Sequence, residues 1–446
     1  MGKRLIVLLA LALVVGLTFS AAYAEVQNVK VSGDIVASGV LRRHFGLVAA
    51  TPGDTSVLKQ SFLMTQTRVR VDADLTDNVT ATVRLINERI WNGQNDSNSG
   101  NSSNSTAIDL DLAYVTLKEF LYSPLTLTVG RQEIKFGNGL VMGKSGAALG
   151  TTNIPTDLSE RRAFDALRAT LNYDPLVIDL IYAKVRQTTS VDRDDIVLSG
   201  VNATYALNKK ADLSAYYYLK NDNYKGGVAT RNEADQVNTV GALISASPVD
   251  NLTASLEGAY QFGRNSTTTT AQTNHSAWAL QAMADYTFAK VKTTPKIGAS
   301  YTYLSGRNGG TTNEGWDPMF YDQQLNSITY ALLPFTNMRV FNLKASMKPV
   351  DDVTVSAVYG YYDVAQKNSG TLTSPSSYDG ATPYLSTTYT GKQNLGQAID
   401  LTAVYDYTED VQFCLTAGAF KSGGAIVLAD DKEMAQQVIG SMKVVF

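Results

Sequence analysis

The stretch Leu125 to Gly143 reads LTLTVGRQEIKFGNGLVMG and changes character halfway along. Leu125, Leu127 and Val129 alternate with Thr126 and Thr128, the period-two pattern of a strand with one apolar face. Arg131, Glu133 and Lys135 then continue in the apolar parity. A strand cannot place charges where its apolar side had been without ending, bulging or entering water. Gly130, Gly137, Gly139 and Gly143 suit a chain that leaves the ladder and folds inward as a loop.

The alternation recurs on both sides of this stretch, in eighteen segments from Val29 to Phe446, with almost no helical periodicity. Val29, Val31, Ile35 and Leu41 share one face of the first segment, and Lys30, Asp34 and Arg42 the other. In the fourth, Leu110, Leu112 and Tyr114 are expected on one face and Asp109 and Asp111 on the opposite one. Connections alternate between short turns, such as 76–78 and 408–410, and long polar loops, such as 92–107, 137–162, 305–338 and 363–396. Short turns on one side and long loops on the other describe a transmembrane antiparallel β-barrel, an all-β fold of about eighteen strands, periplasm below and exterior above. Lipid demands that every backbone group pair internally, which only a closed barrel achieves with this many strands. Tyr205, Tyr217, Tyr260, Tyr286, Tyr301, Tyr359 and Tyr405 fall near segment ends, where aromatic girdles belong.

The chain opens MGKR, continues apolar from Leu5 to Leu17 and reaches Ala22-Tyr23-Ala24, the layout of a signal peptide over residues 1–24. A single barrel domain is then expected over residues 25–446, exported to the periplasm and inserted in the outer membrane of a Gram-negative-type bacterium. Loss of Lys3 and Arg4 with the leader takes the formal charge from −3 to −5, which gives nucleic acid no purchase. One cysteine, Cys414, excludes an intramolecular disulfide framework, and it reads as a small wall residue. Two histidines, His44 and His275, leave little for a metal centre or a Ser-His pair, so no cofactor, metal or catalysis is expected. A barrel enzyme would need one of those histidines. A scaffold barrel around a periplasmic partner is the other alternative to a pore.

An interior this wide is either an aqueous channel or plugged by inward loops. The inward parity carries eleven carboxylates against nine cations. Arg68, Arg70 and Arg84 lie on adjacent segments with Asp109 and Asp111 on the next, which is either a charged constriction or cross-strand pairing that braces the wall. Tyr216 and Tyr218 could stack on a sugar, although packing inside the lumen is the simpler role. The terminal strand ends on Phe446 with apolar residues two and four earlier, resembling the signal read by the barrel-assembly machinery.

The segment DLDLAYVTLKEF followed by LTLTVGRQEIKFGNGLVMG, with ERRAFDALRATL downstream, resembles the hallmark of the alginate-export family of outer-membrane porins. The resemblance implies an eighteen-stranded monomeric barrel for passive passage of hydrophilic, anionic solutes, as oligo- or polysaccharide, through a lumen narrowed by an inward loop. It further implies that Arg131, with Glu133 and Lys135 beside it, and Arg162, Asp165 and Arg168 line or brace that constriction. The family continues its motif with an Arg-Leu pair where this chain has Gly139 and Leu140, so one cation of the pattern is missing.

Overall fold

The computed structural model describes residues 27–45, 59–91, 108–145, 154–187, 195–223, 235–266, 272–367, 369–371, 388–426 and 434–446. The expected signal peptide and the loop 92–107 lie outside the described residues. The strands are β1 (Asn28–Arg43), β2 (Lys59–Thr76), β3 (Val79–Ile90), β4 (Asp109–Leu117), β5 (Leu125–Gln132), β6 (Phe164–Asn172) and β7 (Leu176–Arg186). They continue as β8 (Ile196–Asn208), β9 (Ala211–Asp222), β10 (Asp235–Ala246), β11 (Leu252–Ser266), β12 (Gln272–Thr287), β13 (Lys296–Leu304) and β14 (Met338–Val350). Then come β15 (Val353–Val364), the short β16 (Ser369–Thr371) and β17 (Thr388–Thr390), β18 (Asn394–Asp406), β19 (Val411–Ser422) and β20 (Met434–Val445). Eighteen of them form one antiparallel sheet, each beside its neighbour in sequence, and β16 and β17 pair with each other outside it.

The sheet closes on itself. β1 pairs with β2 along its whole length and with β20 from Asp34↔Val445 to Arg43↔Gln436. Beyond the last strand, Phe446 and Gly33 exchange both backbone hydrogen bonds, at 2.8 and 3.0 Å, and finish the seam. A Cβ on Gly33 would lie 2.7 Å from the Phe446 ring and 2.5 Å from the Arg68 carbonyl oxygen, so this position tolerates no side chain. Gly33→Val is therefore expected to hold the seam open. The check is heat-modifiable gel mobility, with the compact barrel band reduced several-fold.

The outward face explains why this sheet belongs in lipid. Leu41, Leu63, Leu167, Leu180, Leu256, Leu343 and Leu401 are all exposed, and water would not tolerate a contiguous apolar surface of that extent. Exposed aromatics gather at two levels. Tyr205, Tyr286, Tyr405 and Tyr407 stand near the short turns, and Tyr217, Tyr260, Trp278, Tyr359 and Tyr361 near the long loops.

The fourth strand departs from simple alternation. Arg84 pairs with Leu112 and the next residue, Leu85, with Leu110, which leaves Asp111 as the extra residue of a bulge. The parity reverses there. Leu112, 2% exposed, and Tyr114, opposite the buried Thr82, turn inward rather than outward with Leu110.

Inside the barrel, one contiguous apolar cluster replaces the polar lumen that alternation suggests for the upper wall. Phe164, Ile181, Ile196, Leu198, Val237, Val340 and Phe420 face inward and are buried. What covers them is chain between strands. Ile134, Leu140, Val141 and Met142 come from the connection between β5 and β6, and Trp316, Phe320, Ile328 and Leu332 from that between β13 and β14. Both connections fold into the barrel. A short helix, Ser327–Leu332, lies in the second, its start held where the buried Asp400 carboxylate accepts the Ser327 N–H at 2.6 Å.

Candidate constriction site

The polar side of the lumen is built on β2 and β3. Val69 and Val71 of β2 are exposed outward, so Arg68, Arg70 and Asp72, which alternate with them, point inward. Arg84 of β3 is the direct cross-strand partner of Arg70. Three guanidinium groups thus stand within two adjacent strands, an arrangement like charges tolerate only with anions between them. The anions come from the protein. Arg68 meets Asp34 at 2.9 Å and Glu160 at 3.4 Å, Arg70 meets Asp72 at 2.7 Å, and Arg84 meets Asp111 at 2.6 Å and also Glu133. The bulge has a function here, because it turns Asp111 inward beneath Arg84.

The five carboxylates fall into two kinds. Asp34, Asp72 and Asp111 sit on strands. Glu133 and Glu160 come from the inward chain between β5 and β6, and their side chains are 46% and 43% exposed against 1% for Asp111. Wall carboxylates are fixed by the sheet, whereas loop carboxylates have solvent and room to move.

Above this ladder lies a closed ionic knot. Glu88, fully buried, accepts from Gln66 at 2.9 Å, from Ser159 at 2.9 Å, from the Glu160 N–H at 2.8 Å and from Arg161 at 3.1 Å. Arg161 also donates to Asp109 at 2.6 Å. Asp157 clasps Arg42 of β1. These bonds pin the returning half of the first inward loop to β1–β4. Asp109 accordingly serves as an anchor for Arg161, a residue that the sequence offered in ERRAFDALRATL but gave no reason to separate from Arg162.

Arg162 faces the other way. It meets Asp322 of the second inward loop at 3.2 Å, and Lys135 meets the same carboxylate at 3.1 Å. The two loops also pair by backbone. The Phe320 N–H donates to the Val141 carbonyl at 3.0 Å, the Lys144 N–H to Phe320 at 3.0 Å, and the Asp322 N–H to Gly139 at 2.9 Å. The tip of the first loop crosses to the far wall, where Asn138 donates to Ser255 at 3.2 Å. Beneath that tip, between the β9–β12 wall and the turn at Lys209 and Lys210, is a polar vestibule of about 350 Å³.

The second loop is latched to that far wall. Asp317 pairs with Lys220, both nearly fully buried, and the Met319 N–H donates to its carboxylate at 2.8 Å. Burial alone would push the Asp317 carboxyl up, but the Lys220 charge and hydrogen bond, with the Met319 N–H, hold it below the ordinary carboxylate range. The Asp317 backbone exchanges two further hydrogen bonds with Gln261, at 2.8 and 2.9 Å. His275, buried, shares a hydrogen bond between its Nε2 and Gln261 at 3.3 Å, so it belongs to this latch.

The remaining sequence candidates divide. Arg168 faces inward, paired with Asp179 at 2.8 Å and lying 5.3 Å from the Phe136 ring centre, so it braces the root of the first loop. Tyr216 and Tyr218 stack at 5.0 Å, both buried, and pack inside the lumen. Arg131 and Asp165 do not line the constriction. They are cross-strand partners, two residues beyond the exposed pair Val129 and Leu167, and so share the outward parity, joined at 3.0 Å. The physical reason is register: β5 and β6 keep their pairing through Gln132↔Phe164 despite the positive φ of 121° at Gly130, so the parity break seen in the sequence puts a charge pair on the rim's outside. The residue that enters the lumen is Glu133, just past the strand end.

The profile of the alginate export family matches residues 49–439 of the chain. Among solved structures, the barrel superposes on Pseudomonas aeruginosa OccD3 (OpdP) with a TM-score of 0.58 at 11% identity, covering 94% of this chain and 92% of that one. Pseudomonas aeruginosa OccK2 (OpdF), solved in complex with glucuronate, gives 0.56 at 9% identity over 94% and 98%. Acinetobacter baumannii OccAB4 gives 0.56 at 10% identity over 95% and 100%. At these identities the likeness is one of fold. No curated protein matches the sequence. The profile takes in β2 to β19, both inward loops and the β2–β3 ladder, and the chain belongs to the alginate export family of outer-membrane barrel proteins.

Proposed function

We propose that this channel passes small hydrophilic solutes bearing a single carboxylate, such as sugar acids, along the Arg68–Arg70–Arg84 ladder. The observation that carries the reading is the pairing pattern. Two of the five carboxylates on the ladder, Glu133 and Glu160, are loop-borne and nearly half exposed, so an incoming carboxylate can exchange with them while the strand carboxylates stay in place. A polyuronate finds less support. Five resident carboxylates on three guanidiniums repel a polyanion, and two inward loops already occupy part of the lumen. The glucuronate held by the OccK2 barrel is a solute of the proposed class.

Planar-bilayer recording tests this. The wild-type channel is expected to conduct, and glucuronate added to one side to reduce ion current. Arg68→Ala with Arg84→Ala leaves the carboxylates unopposed, so the reversal potential should move clearly towards cation selectivity and the glucuronate block weaken about tenfold, the loss of roughly one charge-assisted contact. An unchanged reversal potential together with unchanged block would reduce the ladder to a brace for the wall.

A further inference from the structure

The lipid-facing parity of the barrel, apolar through the membrane band, turns basic at the extracellular end of one sector. Arg43 closes β1 two residues beyond Leu41, and Lys59 opens β2 four residues before Leu63; all four side chains are exposed. Arg43 and Lys59 are direct cross-strand partners, which brings their Cα atoms to about 5 Å. Two strands away, Lys421 of β19 occupies the outward parity six residues past the exposed Leu415 and is itself exposed. Among the described residues none of these three cations has an ion pair. Some outer-rim charges neutralise one another, as in Arg131 with Asp165 and Lys184 with Asp195. Other exposed rim cations, such as Arg89 and Arg264, stand singly among the described residues; Arg43 and Lys59 differ in being opposed directly across a strand pair. Like charges directly opposed across a strand pair are destabilising unless an anion sits between them. Neither residue faces the lumen, so the anion is not a solute of the channel.

We propose that Arg43, Lys59 and Lys421 form a site on the outside of the barrel for the phosphate group of an outer-leaflet glycolipid. A phosphate monoester places charged oxygens against both side chains of the β1–β2 pair, the strongest class of hydrogen bond available to them. Immediately below, Leu41, Leu63 and Val438 supply the apolar surface along which the acyl chains of the same lipid lie. A free phosphate uses the same cations and forgoes that surface. The site therefore couples headgroup charge to tail burial, as basic clusters flanking a membrane band do.

The experiment is lipid retention by the folded, full-length barrel in detergent, read by native mass spectrometry. The probes are lipid A carrying both phosphates, the same lipid A enzymatically dephosphorylated, and inorganic phosphate as competitor. The expected result is at least tenfold preference for the phosphorylated lipid, abolished in the Arg43→Ala, Lys59→Ala double variant and kept in Arg43→Lys. Inorganic phosphate at the lipid's concentration should not displace it. Equal retention of the two lipids by the wild type overturns the proposal, as does undiminished retention by the double variant. Displacement by equimolar inorganic phosphate overturns the lipid as the ligand. Unchanged heat-modifiable mobility and bilayer conductance show that the variants are folded, and should the double variant fail to fold, the two-lipid comparison on the wild type decides alone.

Discussion

Lys220→Met is expected to lower the thermal stability of the folded barrel sharply while leaving single-channel conductance near the wild-type value. The substitution removes the partner of Asp317 and leaves a buried carboxylate whose remaining side-chain contact is the Met319 N–H. Breaking a buried pair from one side costs about 3–5 kcal/mol. That cost does not expel the second inward loop. Trp316, Phe320, Ile328 and Leu332 of the same loop are buried to 2% exposure or less, and at roughly 1.5–3 kcal/mol each their burial amounts to about twice the penalty. The loop stays, strained, and the barrel melts earlier. Lys220→Met with Asp317→Leu should recover most of the loss, because an apolar pair of similar volume needs no partner.

The pH dependence follows from the same pair. The folded-state value of Asp317 is depressed, so the pair's contribution is present in full above the ordinary carboxylate value and is lost as pH falls through the folded one. The gap in melting temperature between wild type and Lys220→Met should therefore be widest near neutrality and close in acid. A gap independent of pH, or a double variant no better than the single, would sink the latch as described.

Much of this molecule is legible in its sequence, and the parts that are not share a cause. Period-two alternation depends only on which side of the sheet meets lipid, so all eighteen strands and the sorting of short turns from long loops can be read from Val29 to Phe446. The inward side lacks such a rule. It meets water low in the barrel, where Arg70 and Asp72 lie, and meets folded-in loops higher up, where Phe164, Leu198 and Val340 are buried. The connection 305–337 did carry a signal: Trp316, Met319, Phe320, Leu325, Ile328 and Phe335 are too apolar for a loop in water, and all are buried. Register is invisible in another way. One extra residue at Asp111 reverses Leu112 and Tyr114, and the absence of one at Gly130 leaves Arg131 outside, although both positions look alike as interruptions of a pattern. The opening stretch roots the inward loop, as its glycines suggest, but its chemistry lies in Glu133 and Lys135.

Gly139→Arg, which restores the cation of the family motif, is expected to enlarge the channel rather than simply add charge to it. Gly139 has a φ of +74°, where a side chain costs roughly 1–2 kcal/mol. A Cβ there would lie 2.6 Å from the Asp322 carbonyl oxygen and 3.0 Å from Cε of Lys135. The first contact is with backbone and cannot be relieved by rotating a side chain. It can be relieved only by separating the two inward loops, which breaks the hydrogen bond from the Asp322 N–H to the Gly139 carbonyl and loosens the shared grip of Lys135 and Arg162 on Asp322. An added guanidinium is drawn towards that carboxylate, but the steric conflict begins at Cβ and precedes any gain from charge. Gly139→Ala separates the two effects. Alanine and arginine should both raise single-channel conductance, by about the same factor, and only arginine should move the reversal potential towards anions. A wild-type conductance in Gly139→Ala would mean that the clamp yields without opening. The glycine would then be a matter of lost charge, and this chain would differ from the family motif in selectivity alone.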